Sequence, residues 1–288
     1  MGDDGDVTQR WRSGRASYRP SREVIDVGRL EIAVLDELIA RAFVTQHHYL
    51  GTWPAARERL GLFDAGELVG VAVFSHPAAQ AVLDVLPNGR AEGVELGRFV
   101  LLDRVGANAE TWFLARAFEY LRGEGYTGVV SFSDPLPRST ADGLVVMRGH
   151  VGLIYQAANA IYTGRGRGEA IWILPSGQTY SARAAAKVRS GDQGIDYAIA
   201  QLRAYGAGPV DGDPAAWLDE WLPTLCRRVP HPGNHRYVWA IDRRRRRDLA
   251  RHLIELAKPR RDKRGKKMRD RVKLGLPYPK AVDVLRAA

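Results

Sequence analysis

His47, His48 and Tyr49 stand side by side after an apolar run and before Gly51. An imidazole takes or gives a proton near neutral pH, and a phenol can donate a hydrogen bond or stack on a base. The same residues would also suit a partly exposed loop. Ser133 and Asp134 close the apolar run TGVVSFSD, just before Pro135. Ligands of α/β proteins gather beyond the carboxyl ends of strands. Asp134 can there be a general base, orient one, or simply cap a turn. Glu95 and Arg98 sit inside VELGRFVLLD, the strongest strand signal in the chain. A charge in a central strand must be paired or face a cleft, and a spacing of three predicts opposite faces of a regular strand. The segment GHVGLIYQAANAIYTG (149–164) sets His150, Tyr155, Gln156, Asn159 and Tyr162 among small and apolar residues. As a helix it would put Gln156 and Asn159 on one side, and Tyr155 above Asn159. Carboxamides offer the donor and acceptor that match an adenine edge, and aromatic rings can stack on it. The alternative is a set of polar residues satisfied by neighbouring loops.

A second kind of chemistry is written between a strand and a helix. Arg104, Gly106, Ala107 and Asn108 form a short turn that feeds AETWFLARAFEYLRGEG. A helix N-terminus offers backbone N–H groups and a positive dipole end, so this turn can hold phosphate or pyrophosphate. The plainer reading is a β–α connection in which Asn108 caps the helix. The turn resembles the pyrophosphate-binding turn of GNAT acetyltransferases, with its glycine one place early. Rossmann and P-loop spacings are absent. The seven histidines include no HxxxH or HExxH pair on a helix, and His231 and His235 are separated by Pro232 and Gly233. Iron or zinc would need a trio of His and Asp assembled in space. Cys226, the one cysteine, excludes an intrachain disulfide and reads as a small buried apolar side chain.

These residues need a scaffold. Apolar periodicity predicts a strand at 22–27, helices at 31–43 and 55–60, and a hairpin at 60–75 around Asp64–Glu67. An edge strand or turn follows at 81–87. Next come strands at 94–103 and 127–134 either side of a helix at 109–125, then a strand at 170–175 and helices near 179–189 and 195–205. A Gly/Pro/Asp loop at 206–214 precedes a proline-containing helix and a strand at 235–242. The order predicts one mixed α/β sheet covered by helices. The division expected is a loose polar segment at 1–20, a catalytic domain at 21–242 with a possible insertion at 176–230, and a basic extension at 243–288.

The chain has 288 residues and a formal net charge of +10, which attracts polyanions. Arg243, Arg244, Arg245, Arg246 and Arg247 are an unbroken run. Residues 258–274, which include Lys263, Arg264, Lys266 and Lys267, carry ten Lys or Arg against two Asp. No run of 18 apolar residues exists, and the acidic start is unlike a signal peptide. A cytoplasmic protein with no membrane partner is expected.

Taken together, HHYLGTWP (47–54), ELGRFVLLD (95–103), NAETWF (108–113), SFSDP (131–135), the 149–164 segment and HPGNHRYVWAI (231–241) resemble the Mom family of phage DNA-modification proteins. The pieces occur in order and cover most of residues 40–242. The resemblance implies a GNAT-like mixed sheet flanked by helices. It also implies conversion of adenine in DNA to an N6-carbamoylmethyl derivative, which protects phage DNA from restriction in the infected bacterial host. By the family pattern, function maps onto Tyr49, Arg98, Ser133 and Asp134, with Tyr155 and Gln156 behind them. Adenine N6 is a poor nucleophile, so it must be held against an electrophilic carbon while a base, Asp134 or His48, takes a proton. Arg98 would stabilise negative charge on the donor or leaving group. The adenine would leave a duplex stack to reach the site. The donor is open, an acyl-coenzyme-A-like molecule being one reading. The alternatives are a GNAT acyltransferase acting on a small-molecule or protein amine, and a non-enzymatic DNA-binding protein.

Overall fold

The computed structural model describes residues 7–12, 15–20, 25–106, 108–266, 268 and 270–280, the first two of these segments by backbone only. Strands β1 (Val7–Arg12) and β2 (Arg15–Pro20) form a hairpin. The main unit begins with β3 (Leu30–Val34), α1 (Glu37–His47), β4 (Ala56–Asp64) and β5 (Glu67–Ser75). It continues through α2 (Gly89–Glu92), β6 (Gly93–Leu101), α3 (Ala109–Gly123) and β7 (Gly128–Ser133). A small hairpin, β8 (Arg138–Ser139) and β9 (Val145–Met147), leads to α4 (Leu153–Ala157) and β10 (Ile161–Arg165). Next come β11 (Glu169–Ile173), β12 (Thr179–Tyr180), α5 (Ala182–Ser190), α6 (Asp196–Arg203), α7 (Pro214–Leu225) and β13 (Arg227–His231). The described chain closes with β14 (His235–Ala240), α8 (Arg246–Ala257) and an irregular segment to residue 280.

Seven strands form one sheet in the order β10-β14-β7-β6-β5-β4-β3. All neighbours are antiparallel except β6 and β7. The parallel pair is joined at only three positions, Gly93–Gly128, Val94–Val129 and Glu95–Val130, and the ladder stops there. Ser131 Oγ, donating to Leu96 O at 3.0 Å, is the last bond across the junction. Helix α1 packs Ala40, Phe43 and Val44 on Val71, Val73 and Val100. On the same face α8 packs Leu249 and Leu253 on Val130 and Val238. Helix α3 covers the other face through Phe113, Leu114, Ala117 and Leu121, with Tyr155 of α4 beside it. This is one mixed α/β sheet with helices on both faces, as the element order predicts. Strands β12-β11-β13 and helices α5–α7 have a core of their own around Tyr180, Val188, Leu202, Trp217 and Leu218, over a stretch that includes the possible insertion expected at 176–230.

Several local expectations change. Asp36 caps α1 by accepting from Leu38 N at 2.8 Å, so the helix starts at Glu37 and the apolar residues before it belong to β3. The expected strand at 22–27 falls partly outside the described residues, and Val27 lies in a 3-10 turn. Residues 55–60, read as a helix, are strand. Arg57 and Glu58 are charged, but strand period two sends Glu58 inward to accept from Tyr120 Oη (3.1 Å) and Tyr126 Oη (3.0 Å). The β4–β5 hairpin turns through Ala65 and Gly66, both at positive φ, where expected. Cys226 is buried at the end of α7, and burial pushes its thiol up to about 11. Among the described residues no helix is long and apolar enough to cross a membrane.

Candidate active site

A single extra residue in β6 builds the centre of the site. Opposite β5, Glu95 pairs with Ser75, Leu96 with Phe74 and Arg98 with Val73, leaving Gly97 as a bulge. A regular strand would send Glu95 and Arg98 to opposite faces, as expected from their spacing. The bulge resets the alternation and puts both on the face covered by α1. A Cβ at Gly97 would lie 2.5 Å from Ser75 Oγ, so any larger residue would force that buried side chain to shift.

Arg98 is fixed by the loop that leaves α1. Its Nε donates to Thr52 O (3.0 Å), Nη2 to Thr52 Oγ1 (2.8 Å) and Nη1 to Gly97 O (2.6 Å). An arginine has five N–H groups, so two remain for a ligand. Burial pushes its pKa down, while Tyr49 and Glu95 oppose that shift. Glu95 is pushed up to about 7 by burial, with Arg98 pulling the other way. A carboxyl in that range exchanges protons near neutral pH.

The two histidines of the HHY loop part company. His47 ends α1 with its ring 4.6 Å from that of Phe43. His48 turns inward, where burial first, then Arg98 and His150, hold it well below the usual histidine range. Its Nδ1 accepts from Leu50 N at 3.1 Å. The neutral ring therefore presents an N–H at Nε2, not a lone pair. Tyr49 stacks on His48 with centroids 4.3 Å apart, and its hydroxyl lies 3.5 Å from His150 Nε2. Burial pushes Tyr49 up to about 12, and it moves His150 down to about 4. Both are neutral hydrogen-bonding groups at pH 7.

At the end of β7, Ser133 is fully buried beside Tyr237, and Asp134 is nearly so. Asp134 accepts from Arg138, from His231 Nε2 (2.9 Å) and from Leu136 N (2.9 Å). His231 Nδ1 accepts from Gly233 N at 2.9 Å, so its proton points at Asp134. The carboxylate is thus committed to an ion pair and a clamp on the last strand of the insertion. Arg138, on β8, was not singled out from the sequence. Its only signal was its place four residues after SFSD's aspartate.

The 149–164 segment is not one helix. Gly149, Gly152 and Asn159 adopt positive φ, which confines the helix to Leu153–Ala157. Tyr155 points inward, with its ring 5.4 Å from both Tyr237 and Trp239. Its hydroxyl hydrogen-bonds Ser131 at the open end of the β6–β7 junction, where Glu95 and Arg98 act on it. The expected sharing of a base between Gln156 and Asn159 does not arise. Gln156 Nε2 is 3.0 Å from Val151 O and 3.2 Å from both Tyr237 Oη and Pro279 O. Asn159 is exposed in the turn that ends the helix. Tyr162 is a strand residue, 2.8 Å through its hydroxyl from His235 Nδ1.

In the β6–α3 turn, Arg104 is exposed and held by Glu67 at 2.5 Å. Asn108 is left-handed and its side chain does not cap α3, contrary to the plainer reading of the turn. Ala107 lies outside the described residues. The Asn108 side chain thus leaves the backbone N–H groups at the start of α3 to other partners. Arg104 would have to leave Glu67 to reach a ligand there. Among the described residues no three His, Cys, Asp or Glu side chains gather as metal ligands. Arg243 to Arg247 are exposed across a 3-10 turn and the start of α8, and Lys263, Arg264 and Lys266 are exposed beyond it. Lys267 lies outside the described residues. A cavity of about 470 Å³ between Asp84, Arg90, His252 and Arg271 sits at the amino end of β6, apart from these groups.

A model of the Mom protein family matches residues 29–258. Seven solved chains match overall. An acetyltransferase from Bacillus subtilis in complex with CoA is 10% identical, covers 73% of this chain and 98% of its own, with a TM-score of 0.33. A tandem GNAT protein from the clavulanic acid biosynthesis pathway is 11% identical over 74% of this chain and 99% of its own, with a TM-score of 0.38. A probable acetyltransferase from Staphylococcus epidermidis is 7% identical over 73% and 98%, with a TM-score of 0.31. No curated protein sequence matches significantly.

Proposed function

The chain belongs to the Mom protein family, and from that premise we propose that Glu95 takes the proton as adenine N6 acquires its new group. The protein is an enzyme of the transferase type. It converts the N6 amino group of adenine in DNA to a carbamoylmethyl derivative and so protects phage DNA from restriction.

The sequence offers two candidates for the base, Asp134 and His48, and the bulge in β6 adds Glu95 as a third; their surroundings separate them. His48 offers an N–H and is held neutral. Asp134 is occupied by Arg138, His231 and Leu136 N. Glu95 is near neutrality in its pKa and shares a face with Arg98. That shared face is the observation that carries the reading. N6 attacks the methylene carbon of a donor that bears the carbamoylmethyl group. The N–C bond forms, the bond from that carbon to the leaving group breaks, and the leaving group departs with the electron pair. Glu95 receives the N6 proton. The two spare N–H groups of Arg98 stabilise charge on the leaving group. Tyr49, His48, His150 and Tyr155 supply neutral hydrogen bonds and ring surface that hold the base. Because these groups lie below the surface, a duplex adenine reaches them by flipping out.

An acyl-coenzyme-A-like donor would set its diphosphate at the start of α3, near Gly106 and Asn108. When bound, such a donor would have to offer a methylene carbon as the electrophile, since attack on a thioester carbonyl would leave an acyl group on N6. The fit of this chain's residues to such a donor rests on the uncapped helix alone. The reading places the protein in the cytoplasm of an infected bacterium, where the DNA is.

Digestion of DNA co-expressed with the protein, followed by nucleoside mass spectrometry, tests the function. Deoxyadenosine is expected to gain the mass of carbamoylmethyl in place of hydrogen. Unmodified deoxyadenosine, together with saturable coenzyme A binding, would favour an acyltransferase acting on another amine.

We assign the DNA backbone to the exposed arginines and lysines of 243–266. Arg245 is partly engaged by Glu92 at 3.3 Å. Replacing Arg243, Arg244, Arg246 and Arg247 by Ser is expected to weaken binding evenly across sequences. The slope of log K against log salt should become shallower by up to about 3 to 4. A changed sequence preference at an unchanged slope would remove this assignment.

A further inference from the structure

Residues 278 and 279, beyond the basic segment, lie against the active site. Helix α4 is too short to hold itself, since isolated helices shorter than about 12 residues are marginal in water. Gly152 at its start supplies no side-chain cap. Its inner side is held by Tyr237 and by Trp239, whose Nε1 donates to Ala158 O at 3.0 Å. Its outer side is held by the chain's own end. Pro279 O accepts from Gln156 at 3.2 Å, and Tyr278 Oη donates to Ala160 O at 2.5 Å. The last turn of α4 and the residues that follow it are therefore touched by one stretch of chain.

That stretch is itself anchored. Lys273 N donates to Thr163 O at 3.1 Å, along β10, the edge strand of the sheet. Arg236 Nη2 donates to Arg271 O at 2.5 Å. Val272 is 2% exposed and packs with Leu249, Leu253 and Val238. The described basic residues between α8 and Asp270 thus belong to a stretch anchored on both sides, by α8 and by Val272 and Lys273.

We infer that residues 270–280 are a positioning strap, which holds the Tyr155 helix from behind and ties the DNA-gripping stretch to the site where the adenine reacts. Tyr278 is a positioning residue, acting on Tyr155 through the carbonyl end of α4. This inference rests on the proposed function, and its test has a readout that does not.

Two variants are compared with the parent chain: one truncated after Gly275, which keeps every basic residue assigned to DNA, and the full-length Tyr278→Phe. Hydrogen exchange followed by mass spectrometry should show amides of 153–163 exchanging about tenfold faster in the truncated chain, with α3 and β7 unchanged. Turnover of DNA modification should fall about tenfold while KM for DNA stays within about twofold. Tyr278→Phe should move both quantities in the same direction by less. Unchanged exchange over 153–163 in both variants would overturn the inference. So would a rise in KM that accounts for the lost activity, since the segment would then only bind DNA. Faster exchange throughout α3 and β7 would also overturn it, because the strap would then hold the fold and not the site. If the parent protein leaves DNA unmodified, the proposed function fails, while the exchange result still decides whether the strap exists.

Discussion

Glu95→Gln is expected to lower turnover of adenine modification about a hundredfold or more, the range for removing a general base, while raising stability at neutral pH. Both effects follow from one cause. Burial lifts the carboxyl from 4.5 to about 7, against the pull of Arg98. Between those values the folded chain keeps a proton that the unfolded chain gives up. Stability therefore falls as pH rises through that window, and above it the ionised carboxylate costs up to about 3 kcal/mol. Gln keeps the shape without the charge, so its advantage should be absent near pH 4, grow through the window and reach its full size above about pH 7. The parent's rate should climb with pH to a plateau, with its midpoint near 7, and the variant's residual rate should lose that limb. A pH–rate profile beside urea melts at pH 4.5 and 8 checks all of this. Parental turnover in the variant, or a variant less stable at pH 8, would remove Glu95 from its role.

Asp134→Ala should act oppositely, through folding. Asp134 and Arg138 are 10% and 6% exposed in their side chains, and His231 lies on the same carboxylate. Removing the anion leaves a buried guanidinium without its counter-charge, at a cost of about 3–5 kcal/mol. Replacing Arg138 by Met in the same chain should recover most of that loss, since a well-packed apolar residue avoids the stranded charge. Denaturant unfolding of the two single variants and the double variant measures the coupling. Additive effects, or an Asp134→Ala chain as stable as the parent with turnover abolished, would restore Asp134 as a candidate base.

Much of this architecture was legible in the residues. The apolar periods around β6, α3 and β7 located the central strand–helix–strand unit. Asp64-Ala65-Gly66-Glu67 located the hairpin. Failures occurred where one residue changed the geometry. Gly97 shifts the alternation of β6, and nothing in ELGRF distinguishes a bulge from a regular strand, so Glu95 and Arg98 were assigned to opposite faces. Glycines at 149 and 152 and Asn159 at positive φ cut a presumed helix to five residues. Residues 56–59 were read as helix because their charges hid a strand whose inward carboxylate is satisfied by two distant tyrosines. Gln156 stands out as unusual for a core helix, but two of its three partners lie 81 and 123 positions away, beyond any local pattern.

The brief junction between β6 and β7 has a genetic corollary. The strands β3 to β6, with the HHY loop, come from residues 30–101, whereas β7, β10 and β14, with α4, come from residues 128–240. The acid–arginine pair is encoded wholly in the first stretch, and Ser131, Asp134 and Tyr155 wholly in the second. A recombination event falling in the α3 region would exchange one complete half of the reaction centre for another.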